Sequence, residues 1–228
     1  MEPTNSASPV VKHSELYLDT IISQVEDTLF KVPSRYFHEK SGVFSVAFKI
    51  SKSTDEGTEV DPVKLSPMPH AAGAVDFGYL ARIVVALSAG LGVPTYNLNQ
   101  WFSVLKLSTA WEFNDIRSLA ISNMSSSASL KLGGLEEWGT FLDLSHHSPQ
   151  FCDLRQIAIT RLNDLVSTSA IQRFKLGYKY YVEDWVFEGL KGLALQKDLP
   201  KLEDLRRDLG TDTALRLLYL RAQNISSC

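Results

Sequence analysis

The chain has 228 residues, enough for one or two domains and a sizeable core. Hydrophobic residues make up 44% and charged residues 21%, ordinary globular usage that argues against a disordered or fibrous chain. Lys and Arg number 23 against 26 Asp and Glu, a formal net charge of −3, so the positive field typical of nucleic-acid binding is absent at whole-chain level and no direct nucleic-acid partner is expected.

Residues 1–13 are polar, with Pro and Ser and nothing periodic to bury, which predicts a loose tail. The opening residues carry no basic stretch followed by an apolar one, as a secretory leader would. The two cysteines, Cys152 and Cys228, are expected as free thiols in a reducing compartment, which predicts an intracellular protein of the nucleus or cytoplasm. The longest apolar run, Ala81 to Val93, contains Arg82 and falls short of the about 20 residues that cross a bilayer, so no membrane partner is expected.

Apolar residues at Leu16, Leu18, Ile21, Ile22, Val25, Leu29, Phe30 and Val32, divided by Glu26-Asp27, predict a hairpin of strands 16–25 and 28–32. Phe37, Phe44 and Phe48 fall near one helical face, and Ser41-Gly42 divides the stretch into two short helices. Residues 51–62 predict a loop, 63–65 a short edge strand and 66–74 an irregular connection. A helix is expected over 76–90, ended by Gly90 and Gly92 ahead of Pro94.

An internal repeat follows. Trp101-Phe-Ser-Val-Leu-Lys-Leu-Ser108 returns as Trp138-Gly-Thr-Phe-Leu-Asp-Leu-Ser145, and Asp115-Ile-Arg117 with Ala120-Ile121 returns as Asp153-Leu-Arg155 with Ala158-Ile159. Each copy reads as a helical pair with one buried stripe per helix, the copies being joined by a Ser-rich link over 122–129. Beyond it, Ser167 is a candidate cap for a helix carrying Ile171, Phe174 and Tyr178. Further helices are expected around 185–195 and between Pro200 and Gly210, and a last one is capped by Thr211 or Asp212 with Leu215, Leu218 and Tyr219 on one face.

Chemical motifs are sparse. The chain contains no phosphate-binding G-x-x-x-x-G-K-[ST], no G-x-S-x-G and no H-E-x-x-H, and Gly90-Leu-Gly92 reads as a helix-ending turn. No catalytic residue and no cofactor is expected. The densest polar cluster, Asp143, His146, His147, Cys152 and Asp153, has ligand-type residues without tetrahedral spacing. It reads as a solvated turn beside a buried Cys152, with metal binding as a remote alternative. The four tryptophans sit at helical spacing among apolar residues and read as core. Asp115 with Arg117 and Asp153 with Arg155 are two apart and are expected to be solvated or bound to backbone.

The stretch from Asp19 to Phe44, with its hairpin, elbow and Ser41-Gly-Val-Phe44 element, resembles the opening of a BTB/POZ domain. Trp101 to Ile121, Lys175 to Trp185 and Leu209 to Leu217 are similar to fungal BTB proteins with a helical C-terminal extension. The resemblance spans about residues 14–222. Beyond the disordered tail expected over 1–13, it implies an α+β fold: a BTB/POZ-like small sheet with helices over 14–124, and an all-α region of helical hairpins over 125–228. It also implies a non-enzymatic protein–protein interaction module that forms a homodimer and recruits partner proteins, or else a cullin-ligase substrate adaptor or a transcription co-regulator. The chain departs from the family pattern at several points, one being that the second Trp-to-Ile copy, 138–159, is additional to the usual arrangement. Pro33 stands in place of the usual histidine, and Ser34 in place of the following basic residue, leaving Arg35 as the nearest substitute opposite Asp19. No Glu occurs between Glu59 and Glu112, where a cullin-binding motif is expected. The candidate partner-binding residues are Leu16, Leu18, Asp19, Arg35, Tyr36 and Phe37, with Leu16, Leu18, Tyr36 and Phe37 equally compatible with plain core.

Overall fold

The computed structural model describes residues 11, 13, 19–50, 57–126, 133–165 and 169–226. The expected tail lies almost wholly outside the described residues, as do Leu16, Leu18, the first half of the acidic loop, Ser167 and Cys228. The chain divides into two compact units, residues 1–124 and 125–228. It is mostly helical, with one three-stranded sheet among the described residues, an α+β fold.

In the first unit, β1 (Thr20–Val25) and β2 (Thr28–Pro33) pair antiparallel about the Glu26-Asp27 turn, with Val25 opposite Thr28 and Ile21 opposite Val32. The two-residue strand β3 (Val63–Lys64) runs parallel to β1 on its other side, giving the order β2-β1-β3. β1 is central and rich in β-branched residues, and Ile21, Ile22 and Val25 are all buried, which accounts for a near-continuous apolar run instead of a clean alternation.

The chain then turns into α1 (Ser34–Lys40) and α2 (Gly42–Ile50), separated at Ser41, whose backbone is extended. α3 (Ala74–Ser88) starts two residues ahead of the sequence expectation because its first amides find acceptors supplied by tertiary structure. The Glu26 carboxylate, carried on the tight hairpin turn at φ 52, accepts from Ala74 N–H at 3.1 Å, and Asp76 accepts from Gly73 N–H at 3.0 Å. α3 ends as expected of a glycine-stopped helix. Gly90 takes φ 64 and Leu91 N–H reaches back to the Ala86 carbonyl at 2.8 Å. α4 (Leu98–Ala110) opens with a reciprocal Asn97–Gln100 cap, and α5 (Asn114–Ser125) includes Ser122 to Ser125, so the Ser-rich link begins only after them.

The second unit runs α6 (Leu135–His147), α7 (Cys152–Leu165), α8 (Ala170–Tyr180), α9 (Glu183–Leu195), α10 (Leu202–Leu209) and α11 (Thr211–Ser226). The two repeat copies are helical pairs built on the same local rules. Trp101 and Trp138, Ile116 and Leu154, and Ala120 and Ala158 are buried. The buried hydroxyls of Ser108 and Ser145 each donate to the carbonyl three residues earlier, Leu105 at 3.2 Å and Leu142 at 2.9 Å. The repeated tryptophan, alanine and serine letters are thus packing letters. Trp111 and Trp185 are buried as well.

Two expected faces differ from those observed. On α8, Phe174 is buried and Ile171 packs against the core, but Tyr178 is exposed and Tyr180 takes the inner place. On α11, Leu215 and Tyr219 are exposed, Leu218 is half-buried, and Ala214 and Leu217 join Phe174, Leu193, Leu205 and Leu209 in the core. Arg221 explains the rotation. It lies on the Ala214–Leu217 stripe, and its guanidinium donates to the carbonyls of Leu193 (3.3 Å), Gln196 and Lys197 (2.8 Å), satisfying the otherwise orphaned end of α9.

Close approach of α8 and α9 requires glycine. A Cβ on Gly177 would stand 2.6 Å from the Val186 amide nitrogen, and one on Gly189 would stand 2.6 Å from that of Phe174, backbone atoms that cannot step aside. Gly189→Ala is therefore expected to destabilise the second unit by about 1–3 kcal/mol. Urea unfolding followed by tryptophan fluorescence checks this, and an unchanged midpoint refutes it.

Candidate interaction surface

The residues singled out in the sequence fall around the start of the first unit. Phe37 is 1% exposed; its ring meets Phe44 (5.0 Å between centroids) and Phe113 (5.3 Å) edge to face, so it is core and not surface. Arg35 is 79% exposed and pairs along its own helix with Glu39 at 2.7 Å, the one-turn spacing that brings side chains together, instead of with Asp19. Asp19 is exposed, and its main-chain carbonyl accepts from the Ser34 amide and hydroxyl, both at 3.0 Å, which locks the entry to α1. Pro33 ends β2.

Tyr36 is half-buried. Its hydroxyl donates to Asp115 Oδ2 at 2.7 Å and its ring stacks on Phe113. Burial first, and the neighbouring carboxylate second, hold the phenol well above its ordinary range. Asp115 was expected to be solvated or bound to backbone. It bonds the Ile116 amide, but it also takes the tyrosine, a pairing that sequence spacing does not reveal.

The elbow is held by one small side chain. Buried Ser41 donates its hydroxyl to the Trp111 carbonyl at 2.5 Å and accepts from the Phe44 amide at 3.0 Å, and its backbone forms a bridge with Phe113. With Phe44 thus turned inward, onto Trp111 at 5.3 Å, a neighbouring stripe of α2 carries apolar groups into solvent: Val43, Val46 (54% exposed) and Ala47, at i, i+3, i+4. This exposed stripe, and not Phe37, is what the elbow offers outward.

A second feature lies at the free side of β2. Phe30 and Val32 from β2, with Ala81, Val85 and Leu91 from α3 and its exit, line an apolar groove of about 430 Å³ bordered by Lys31 and Arg82.

In the second unit, the 143–153 cluster does not converge. His146 stacks face to face on Tyr181 at 4.0 Å, His147 shares a hydrogen bond with the Asp143 carbonyl at 2.9 Å, and Cys152 is exposed instead of buried, with its thiol 3.6 Å from Asp153. Among the described residues no three His, Cys, Asp or Glu side chains form a group that could hold a metal ion. Arg155 binds backbone, as the spacing predicts, donating to the carbonyls of Tyr180 (3.1 Å) and Tyr181 (2.7 Å). No helix among the described residues is long and apolar enough to cross a membrane.

The raised Tyr36 phenol gives a pH signature. Near pH 10 the unfolded chain loses this proton while the folded chain keeps it, so stability is fully present below about pH 10 and falls as pH rises beyond it. Urea midpoints measured from about pH 9 to 11 should decline more steeply for the wild type than for Tyr36→Phe, and parallel declines would disprove the assignment. Ser41→Ala, which strands a buried amide and a carbonyl, should cost about 1–3 kcal/mol in the same assay. No protein-family model, curated protein or solved structure matches the chain.

Proposed function

We propose that this protein is a non-enzymatic interaction module of BTB/POZ-like design, which self-associates through its first unit and recruits other proteins. The observation that carries the reading is the Val43, Val46 and Ala47 stripe on α2, left in solvent while Phe44 on the same helix enters the core. Apolar groups at helical spacing on the outside of a well-packed unit gain free energy when a second copy covers them across a two-fold axis. The order hairpin, broken helical elbow, short parallel strand, long helix and helical pair supports the BTB/POZ-like part of the reading, because it is the order expected from residues 19–121. Tyr36 and Arg35, half-buried and exposed on α1, remain candidates for the rim of the contact, whereas Phe37 does not.

Light scattering on the full chain at about ten micromolar should give the mass of two copies, and Val46→Glu, which places a charge in the stripe without touching the core, should give the mass of one. A single-chain mass for the wild type overturns self-association. An unchanged two-copy mass for Val46→Glu removes α2 from the contact.

A further inference from the structure

The recruiting half of that reading can be given a chemistry. In a two-residue hairpin the closing pair, here Val25 and Thr28, exchanges both backbone bonds, and alternation assigns the next bonded pairs to Ser23 with Phe30 and Ile21 with Val32. The Ser34 amide on the Asp19 carbonyl continues the same alternation. Leu29 and Lys31 therefore aim their N–H and C=O groups away from β1. β2 is the outer strand on that side, and among the described residues no hydrogen bond reaches those groups. An edge of this kind is a template for another strand unless it is blunted. Pro33 blunts only its last position.

The groove lies directly beside this edge. Phe30 and Val32 point to the sheet face that packs on α3, where Phe30 meets Phe77 edge to face at 4.8 Å. The sheet stops at β2 while Ala81 and Val85 on α3 continue the apolar floor one turn apart, with Val85 partly exposed. A strand added beside β2 would set alternate side chains over that floor, as strand geometry requires. Lys31 and Arg82 border the groove and are exposed, and among the described residues no carboxylate lines it. A strand whose outward positions are acidic therefore meets Lys31, which alternation places on that outward face, and Arg82 adds positive charge at the border of the floor, whereas a basic strand meets like charge.

We propose that the free edge of β2, with the groove floored by Ala81 and Val85, accepts an extended segment of a partner protein that alternates apolar and acidic residues, adding it as a fourth strand. The backbone of Leu29 and Lys31 supplies register, the groove takes the apolar side chains, and Lys31 and Arg82 select the acidic sequence. The site is separate from the α2 stripe, so it stands or falls apart from self-association.

The test uses the full chain and a short fluorescent peptide alternating valine with aspartate, with a valine–lysine peptide as control. Anisotropy should show saturable binding of the acidic peptide below about 1 mM and none of the basic one, and the Lys31→Glu/Arg82→Glu variant should weaken binding by about tenfold or more. Amide exchange at Leu29 and Lys31 should slow by at least about tenfold on saturation, because those amides gain partners. Val85→Asp, a second exposed change, should weaken binding with lysine and arginine intact, and circular dichroism should show all variants folded. The proposal is overturned by absence of saturable binding of the acidic peptide at about 1 mM, by equal binding of both peptides, or by protection confined to other amides. It is also overturned if the Lys31→Glu/Arg82→Glu variant loses the two-copy mass, since the edge then belongs to a second copy of this chain.

Discussion

The Ser41 hydroxyl sits buried between a donor and an acceptor, and the organisation of the first unit follows from where it holds the chain. By bonding the Trp111 carbonyl and the Phe44 amide together, it fixes the break between α1 and α2 against the turn joining α4 and α5. That placement brings Phe37, Phe44, Trp111, Phe113 and Phe77 edge to face in one cluster, where ring quadrupoles favour such contacts and burial removes large apolar areas from water. A buried polar bond of this kind contributes little net stability but is costly to leave half-made, so it acts as a registration device. With Phe44 committed inward, Val43 and Val46 have nowhere to go but outward, and the candidate self-association surface is a consequence of core packing.

The second unit uses a different constraint, backbone proximity. Gly177 and Gly189 let α8 and α9 approach until main-chain atoms nearly touch, which aligns Val186, Leu190 and Leu193 with the hydrophobic cluster built around Phe174 and Leu205. Arg221 then closes the C-terminal end of α9 and sets the rotation of α11. The outcome is an exposed Leu215 and Tyr219 on a helix whose inner face is equally apolar.

The surfaces proposed to carry function are made of backbone edges and leftover apolar stripes. The densest polar cluster of the sequence, Asp143, His146, His147, Cys152 and Asp153, which reads as a solvated turn beside a buried cysteine, is dispersed into a ring stack, a backbone bond and an exposed thiol. Nor do Arg35 and Asp19 meet. The helix offers Arg35 a glutamate one turn away, a nearer partner than anything across the fold. A free strand edge leaves no mark in side-chain chemistry, because every residue carries the same amide.

Local periodicity and turn chemistry determined a great deal. The hairpin about Glu26-Asp27, the break at Ser41-Gly42, the stop at Gly90, the short strand at Val63 and both copies of the tryptophan repeat were legible in order along the chain. These depend on interactions within a few residues, which spacing encodes. Tertiary structure alone decided which of two apolar stripes on α11 is buried, that α3 begins at Ala74 under the Glu26 carboxylate, and that Phe37 is core while Val46 is surface. Each of those outcomes turns on a partner distant in sequence, an arginine on a helix end, a carboxylate on a hairpin or a serine on a turn. No periodicity in a single segment records what will arrive from elsewhere to complete its hydrogen bonds.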